Sequence, residues 1–145
     1  MNKEKILIAA DHAGVSLKDI LKKAFADRYD WIDLGADGSQ SVDYPDYAEK
    51  LANAIADGSA KRGVLICGSG IGISMAANRF DHVRCALCTD VTMARLARLH
   101  NHANVLALGE RLIGDLAAQD ILKAFLDTEP DQNERHVRRV SKLSR

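Results

Sequence analysis

Short apolar runs alternate with segments of helical periodicity along the whole chain of 145 residues. Leu17, Leu21 and Phe25 typify the helical segments, because they recur on one face of a predicted helix. This alternation favours a parallel sheet that is covered by helices on both faces. We therefore predict a single domain, residues 1–145, with a three-layer αβα, Rossmann-like α/β fold and an extended C-terminal helix over 130–145. The strands of its five-stranded parallel sheet are predicted at 6–10, 31–34, 64–67, 83–88 and 105–108.

The composition, 47% apolar and 28% charged, is that of an ordinary soluble protein. No stretch approaches the roughly 20 apolar residues that span a bilayer, and the N-terminus is a poor signal peptide, so we expect a cytoplasmic protein. The formal net charge is zero, but residues 131–145 carry five basic and two acidic side chains. That segment is either a solvated face or an anion site. The acidic remainder and the lack of an aromatic-basic pattern argue against nucleic-acid binding.

A glycine-rich loop, Gly68-Ser69-Gly70-Ile71-Gly72, follows the third predicted strand and begins a helix. Alternate glycines let backbone N–H groups approach a ligand, and the start of a helix favours negative charge. The loop is not a dinucleotide fingerprint, because Ile73 stands where the last glycine would be, and no P-loop lysine follows. Either the loop is a tight turn that only packs, or it binds an anion, which is the interpretation we favour.

The three cysteines differ in their predicted surroundings. Cys67 is the last residue of the third strand and faces the start of the next helix, a position that favours the thiolate form. The alternative is a buried strand cysteine without a chemical role. Cys85 and Cys88 are three apart within one predicted strand, so their side chains point to opposite faces. They are therefore expected to be structural, with neither a disulfide nor a shared metal.

Other polar residues are candidates for ligand binding. Asp11 and His12 follow the first strand, where they could bind a sugar hydroxyl and a phosphate, or could simply cap a helix and face solvent. His100 extends an apolar stripe of its helix and is predicted to face inward, as a catalytic group or as a core histidine. Arg135 and Arg139 are four apart, so they share a helix face and suit a phosphate dianion.

Five motifs occur along the chain in a characteristic order. They are Asp11-His12-Ala13-Gly14, Asp43-Tyr44-Pro45, Cys67-Gly68-Ser69-Gly70-Ile71-Gly72, His100-Asn101 and Ala107-Leu108-Gly109-Glu110-Arg111. Their order and spacing resemble those of the type B ribose-5-phosphate isomerases over essentially the whole chain. The resemblance implies an enzyme of the pentose phosphate pathway that interconverts ribose 5-phosphate and ribulose 5-phosphate through an enediolate, without a metal or an organic cofactor.

The resemblance also implies roles for individual catalytic residues. By position, Cys67 is the base that moves a proton between C2 and C1, and His100 opens the furanose ring. Asp11 holds and polarises hydroxyl groups. Ser69 acts with the backbone N–H groups of the loop to stabilise the enediolate oxygens. The loop residues expected to bind substrate are Gly68, Ser69, Gly70, Ile71 and Gly72.

The remaining expected binding residues follow from the same resemblance. The phosphate is taken by His12, Arg135 and Arg139, whereas Asn101 and Arg111 complete the pocket and Tyr44 lies beside the sugar. Members of the family are homodimers or tetramers with shared active sites. His100, Asn101 and the C-terminal helix, residues 130–145, are therefore expected to serve the neighbouring subunit.

Two positions bear on how far the resemblance extends. One branch of the family replaces the cysteine base with a glutamate a few residues downstream. Ile73 occupies that position here, so Cys67 is the evident base. Ser69 stands where many cysteine-type members have threonine, and it keeps the hydroxyl group. The alternatives are an isomerase of allose 6-phosphate, galactose 6-phosphate or a tetrulose phosphate, and a non-catalytic nucleotide- or anion-binding module.

Overall fold

A five-stranded sheet forms the centre of the molecule in the computed structural model, which describes residues 2–144. All strand pairs are parallel, and the strand order is β2-β1-β3-β5-β4. The predicted α/β fold with five parallel strands is therefore confirmed. The strands are β1 (Glu4–Ala10), β2 (Tyr29–Asp33), β3 (Arg62–Cys67), β4 (Cys85–Leu87) and β5 (Val105–Gly109).

Helices cover both faces of the sheet and produce two separate hydrophobic clusters. Along β1, Ile6 and Ile8 face the cluster that packs on α1, α4 and α5, whereas Leu7 and Ala9 face the cluster on α2 and α3. The three-layer arrangement follows from this alternation, because successive side chains of a strand point to opposite faces. The helices are α1 (Val15–Ala24), α2 (Tyr44–Ala56), α3 (Ile71–Ala77), α4 (Val91–Asn101), α5 (Asp115–Asp127) and α6 (Glu134–Ser141).

Strand β4 is shorter than predicted, three residues in place of six. Side-chain amides take over its first hydrogen bonds: the N–H of Arg84 donates to Asn104 Oδ1 at 2.7 Å, and the N–H of Cys85 donates to Asn78 Oδ1 at 2.8 Å. Cys85 and Cys88 lie in clusters on opposite faces of the sheet, as the spacing predicts. Burial raises the pKa of the Cys88 thiol to about 11, which fits a structural role.

The last helix is also shorter than predicted. It begins at Glu134, because the side chain of Asn133 caps it by accepting the N–H of Arg135 at 3.0 Å, and it ends at Ser141. Residues 130–133 are not helical, and Arg145, the last residue of the predicted helix, lies outside the described residues. Among residues 2–144, no helix is both long enough and apolar enough to cross a membrane.

Candidate active site

Cys67 lies at the carboxyl end of β3, in the middle of the sheet. Its side chain is 4% exposed, and its Sγ accepts a hydrogen bond from the N–H of Gly70 at 3.1 Å. The carbonyl of Cys67 accepts the N–H of Glu110 at 3.0 Å, which fixes the backbone against β5. The sulfur is thus held at the start of the glycine-rich loop by a donor that stabilises negative charge.

Gly70 shapes this loop. Its φ is +77°, a left-handed conformation that favours glycine, and it brings its N–H toward the sulfur of Cys67. A Cβ atom at this position would lie 2.5 Å from Leu87 Cδ1 and 2.9 Å from the carbonyl carbon of Leu108. Both the backbone conformation and the close packing therefore require glycine here.

Substitution of Gly70 by alanine is expected to lower the free energy of unfolding by about 2–4 kcal/mol, because left-handed strain and steric overlap add. Gly58 is a matched control, since its φ is +87° and a Cβ at this position would have no neighbour within 4 Å. Gly58→Ala is expected to cost only about 1 kcal/mol, from backbone strain alone. Urea unfolding curves measure both values, and equal losses in the two variants would contradict the packing argument.

The backbone of the loop presents hydrogen-bond donors beside the sulfur. Ser69 Oγ accepts the N–H of Ile71 at 3.1 Å, so its own hydroxyl hydrogen is left to donate to a ligand. Gly72 lies in the first turn of α3, where N–H groups have no acceptor within the helix. The loop therefore offers a hydroxyl group and a backbone N–H to an anionic ligand above Cys67.

Two predicted binding residues lie directly against the loop. A Cβ at Gly72 would lie 2.6 Å from the ring of Tyr44, and a Cβ at Gly68 would lie 3.2 Å from Nη1 of Arg111. Tyr44 is 40% exposed and Arg111 is exposed, so both can contact a ligand. Glycine at 68 and 72 is what lets the phenol ring and the guanidinium group approach the loop backbone so closely.

Asp11 and His12 lie at the end of the neighbouring strand. The N–H of Asp11 donates to the carbonyl of Ile66 at 3.2 Å, which places this residue beside Cys67. The buried carboxylate of Asp11 caps a short 3₁₀ turn by accepting the N–H of Ala13 at 2.9 Å. His12 is exposed, and its Nδ1 accepts the N–H of Val42 at 3.1 Å, which leaves Nε2 as a donor toward solvent.

Glu110 supports the site, although the motif that contains it gave it no role. Its Oε1 accepts the N–H of Leu17 at 2.6 Å, across 93 residues of sequence, and so caps α1. The backbone N–H of Glu110 donates a hydrogen bond to the carbonyl of Cys67. Glu110 therefore joins the start of α1 to the end of β3 at the edge where the candidate ligand site lies, a role that depends on the tertiary fold.

His100 does not face inward, so that prediction is wrong for the single chain. The buried residues of α4 are Ala94, Ala97 and Arg98, whereas His100 is exposed. Leu96, which belonged to the predicted inward stripe, is also exposed. The buried face of α4 is thus rotated by about one residue from the predicted one. Of the three apolar residues in the predicted stripe, Met93 and Leu96 lie on the surface of the chain, whereas Ala97 is buried.

His100 and Asn101 also lie at the opposite edge of the sheet from Cys67. Helix α4 begins after β4, at the carboxyl edge, and its 11 residues span about 16 Å before β5 begins. Just beyond the helix, the N–H of Asn104 donates to the carbonyl of Arg84, the residue before β4. The end of α4 therefore lies at the amino edge, and one chain does not bring His100 to Cys67.

Helix α6 is attached at this same end of α4. The N–H of Asp131 donates to the carbonyl of Leu99 at 3.1 Å, and the carbonyl of Asp131 pairs with Nε2 of His102 at 2.8 Å. Arg135 and Arg139, on α6, are exposed. We call His100, Asn101, Arg135 and Arg139 the helix group. The loop group is the set at the carboxyl edge: Asp11, His12, Tyr44, Cys67, Gly68, Ser69, Gly70, Ile71, Gly72 and Arg111.

No three His, Cys, Asp or Glu side chains within residues 2–144 are grouped so that they could hold a metal ion. The loop group instead combines a thiol, a hydroxyl, backbone N–H donors and a guanidinium group. These groups suit proton transfer at carbon with stabilisation of the oxyanion that forms.

Known proteins match the chain over nearly its full length. A family model described as Ribose/Galactose Isomerase matches residues 6–143. Ribose-5-phosphate isomerase B of Escherichia coli is 39% identical over 142 residues, which are 97% of this chain and 95% of that protein. D-erythrulose-4-phosphate isomerase of Pectobacterium atrosepticum is 39% identical over 130 residues, 86% of this chain and 83% of that protein. A ribose 5-phosphate isomerase structure from Thermotoga maritima has a TM-score of 0.94 at 46% identity and covers 97% of each chain.

Proposed function

The chain belongs to the ribose/galactose isomerase family, and on that premise we propose that it interconverts ribose 5-phosphate and ribulose 5-phosphate. It is an aldose–ketose isomerase, and the proposal concerns its substrate and its mechanism. The observation that carries the mechanism is the hydrogen bond from the N–H of Gly70 to the buried Sγ of Cys67, because it holds the sulfur beside the donors of the glycine-rich loop, where a base for the carbon-bound proton is needed. The proposal includes a cytoplasmic location and a place in the pentose phosphate pathway, as the resemblance implies.

The reaction begins with opening of the sugar ring. His100 takes part in the transfer of the proton of the anomeric hydroxyl to the ring oxygen, as the bond between C1 and that oxygen breaks and the C1 carbonyl forms. Asp11 binds a hydroxyl group of the substrate. The imidazole suits this step because one of its ring nitrogens can accept a proton while the other donates one.

Proton transfer between carbons follows. The Cys67 thiolate removes the proton from C2, and the electron pair moves to O1 to give an enediolate. The hydroxyl of Ser69 and the N–H of Gly72 donate hydrogen bonds to the enediolate oxygens. The thiol then returns the proton to C1, while the hydroxyl proton at O2 passes to O1 and the C2 carbonyl forms.

The phosphate is bound away from the reacting carbons. His12, Arg111, Arg135 and Arg139 are donors that suit a dianion, and Nε2 of His12 is left to donate by the contact of Nδ1 with Val42. Binding energy from the phosphate can hold C2 over the thiolate, which raises the rate of the chemical step.

One chain does not bring the helix group to the loop group, because the two groups lie at opposite edges of its sheet. We therefore propose a homodimer in which each loop group meets the helix group of the partner. Exposed apolar side chains provide a surface for this contact. They include Ile71 and Met75 on α3, Met93 and Leu96 on α4, and Val137 on α6.

A tetrulose phosphate is the second candidate substrate, because the Pectobacterium relative has the same 39% identity as the Escherichia coli relative, although over 130 residues in place of 142. The test is an isomerisation assay with ribose 5-phosphate, allose 6-phosphate, galactose 6-phosphate and erythrulose 4-phosphate. We expect kcat/KM for ribose 5-phosphate to exceed the others by about tenfold or more. Free ribose serves as the control, and it is expected to react poorly because it lacks the phosphate. A preference for another sugar phosphate would replace the proposed substrate.

A further inference from the structure

His136 is a buried histidine to which the proposed mechanism gives no role. Within Glu134–Ser141, all of which the structure describes, it is the one buried residue, at 6% exposure. Its ring is stacked on the ring of His100, with centroids 4.5 Å apart and planes inclined by 12°. The contact therefore joins α6 directly to a residue of the helix group.

The Nε2 atom of His136 makes no hydrogen bond that stabilises the fold. It is buried and has no hydrogen-bond partner among residues 2–144. The nearest carboxylate oxygen, Oδ2 of Asp131, is 3.7 Å away, which is too long for a hydrogen bond. A buried nitrogen without a partner typically costs about 1–3 kcal/mol, so an apolar side chain would stabilise this position better.

The surroundings keep the ring of His136 neutral. Burial lowers its pKa, and the nearby positive charges of His100, Arg135 and Arg139 lower it further, whereas Asp131 acts in the opposite sense. These are the titratable groups that face His136 from α4, from α6 and from the segment between the helices. A neutral His136 ring can stay stacked on His100 without repulsion between two imidazolium ions.

We propose that His136 is a positioning residue: its flat ring holds the imidazole of His100 in the orientation that ring opening requires. This inference rests on the proposed function, in which His100 acts on the furanose. His100 is exposed near the end of α4, where an imidazole without a neighbour would sample several rotamers. Stacking selects one orientation before the substrate binds, and a correctly oriented catalytic group raises the rate of its own step.

The test separates ring opening from proton transfer between carbons. Ribose 5-phosphate is a furanose, whereas ribulose 5-phosphate is acyclic because its terminal oxygen carries the phosphate. Exchange of the C1 hydrogen of ribulose 5-phosphate with D₂O, followed by proton NMR, therefore needs Cys67 but no ring opening. Conversion of ribose 5-phosphate needs both steps.

His136→Phe and His136→Leu form a matched pair. Both remove the unpartnered nitrogen, but only phenylalanine keeps a flat ring against His100. We expect His136→Leu to lower kcat for ribose 5-phosphate about tenfold while C1 exchange stays within about twofold of wild type. His136→Phe is expected to retain most of both activities. His82→Ala controls for loss of an imidazole elsewhere, since this histidine pairs with the carbonyl of Ala52 and packs edge-on against Phe80.

Three results would overturn the inference: wild-type conversion of ribose 5-phosphate by His136→Leu, a parallel loss of exchange and conversion, or equal losses in the two variants. A parallel loss would assign His136 to folding or phosphate binding. Thermal unfolding of each variant checks that the fold is kept. Failure of the proposed function is a different result, because wild type itself would then not convert ribose 5-phosphate.

Discussion

Replacement of Cys67 by alanine is expected to reduce kcat/KM for ribose 5-phosphate by roughly 10³-fold or more, because the variant has no base for the carbon-bound proton. C1 exchange of ribulose 5-phosphate should fall by the same factor, since it needs the same base. Binding of inorganic phosphate, measured by calorimetry, is expected to change little, because the sulfur lies at the reacting carbons. Loss of chemistry with retained binding is the signature of a catalytic residue.

Cys85 provides the control for this substitution. It is also partly buried at the sheet, but it lies at the start of β4 and its pKa is raised by burial. Cys85→Ala should therefore keep kcat/KM close to that of wild type. Residual activity of Cys67→Ala above about a tenth of wild type would rule out the thiolate as the base.

A mixture of two inactive variants is expected to recover activity. Cys67→Ala removes the base of the loop group, and His100→Ala removes the imidazole of the helix group. When equal amounts are refolded together, half of the dimers contain one chain of each kind. One of the two sites in such a dimer has an intact loop group and an intact helix group, so roughly a quarter of the wild-type activity should return.

The matched control mixes two variants that alter the same group. Cys67→Ala and Arg111→Ala both change the loop group, so every site in their mixed dimer carries one of the two changes. That mixture should gain no activity over the two variants measured separately. If Cys67→Ala and His100→Ala together also stay inactive although mixed dimers form, the two groups do not meet across an interface.

The sequence predicted the sheet and the glycine-rich loop because their signals are local. A run such as Ile6–Ala10 identifies a buried strand by itself, and alternate glycines after Cys67 identify a tight loop at a helix start. The placement of Asp11 and Arg111 beside that loop then followed from the parallel sheet, since the carboxyl ends of parallel strands share one edge. The structure agrees with this part of the prediction.

Predictions that depended on which neighbour a side chain meets were less successful. Met93, Leu96 and His100 recur at helical spacing, which looks like the core-facing side of a helix, yet all three are exposed. Apolar residues on an exposed side of a helix have the same spacing, so the spacing alone does not identify the buried side. Strand β4 was predicted too long because the side-chain amide of Asn104, 20 residues along the chain, accepts the N–H of Arg84. That N–H is therefore not available for pairing with a neighbouring strand. The stack of His136 on His100 likewise joins two helices and has no local signal.

Within one chain, helix α4 runs from the carboxyl edge of the sheet to its amino edge. If the loop group and the helix group form one site, as proposed, a single chain carries Cys67 at one edge of its sheet and the ring-opening His100 at the other. Helix α4 lies between the two edges. A solitary chain is therefore expected not to convert ribose 5-phosphate until it meets a second copy. Specific activity then depends on assembly, and we expect it to fall on dilution below the dissociation constant of the dimer.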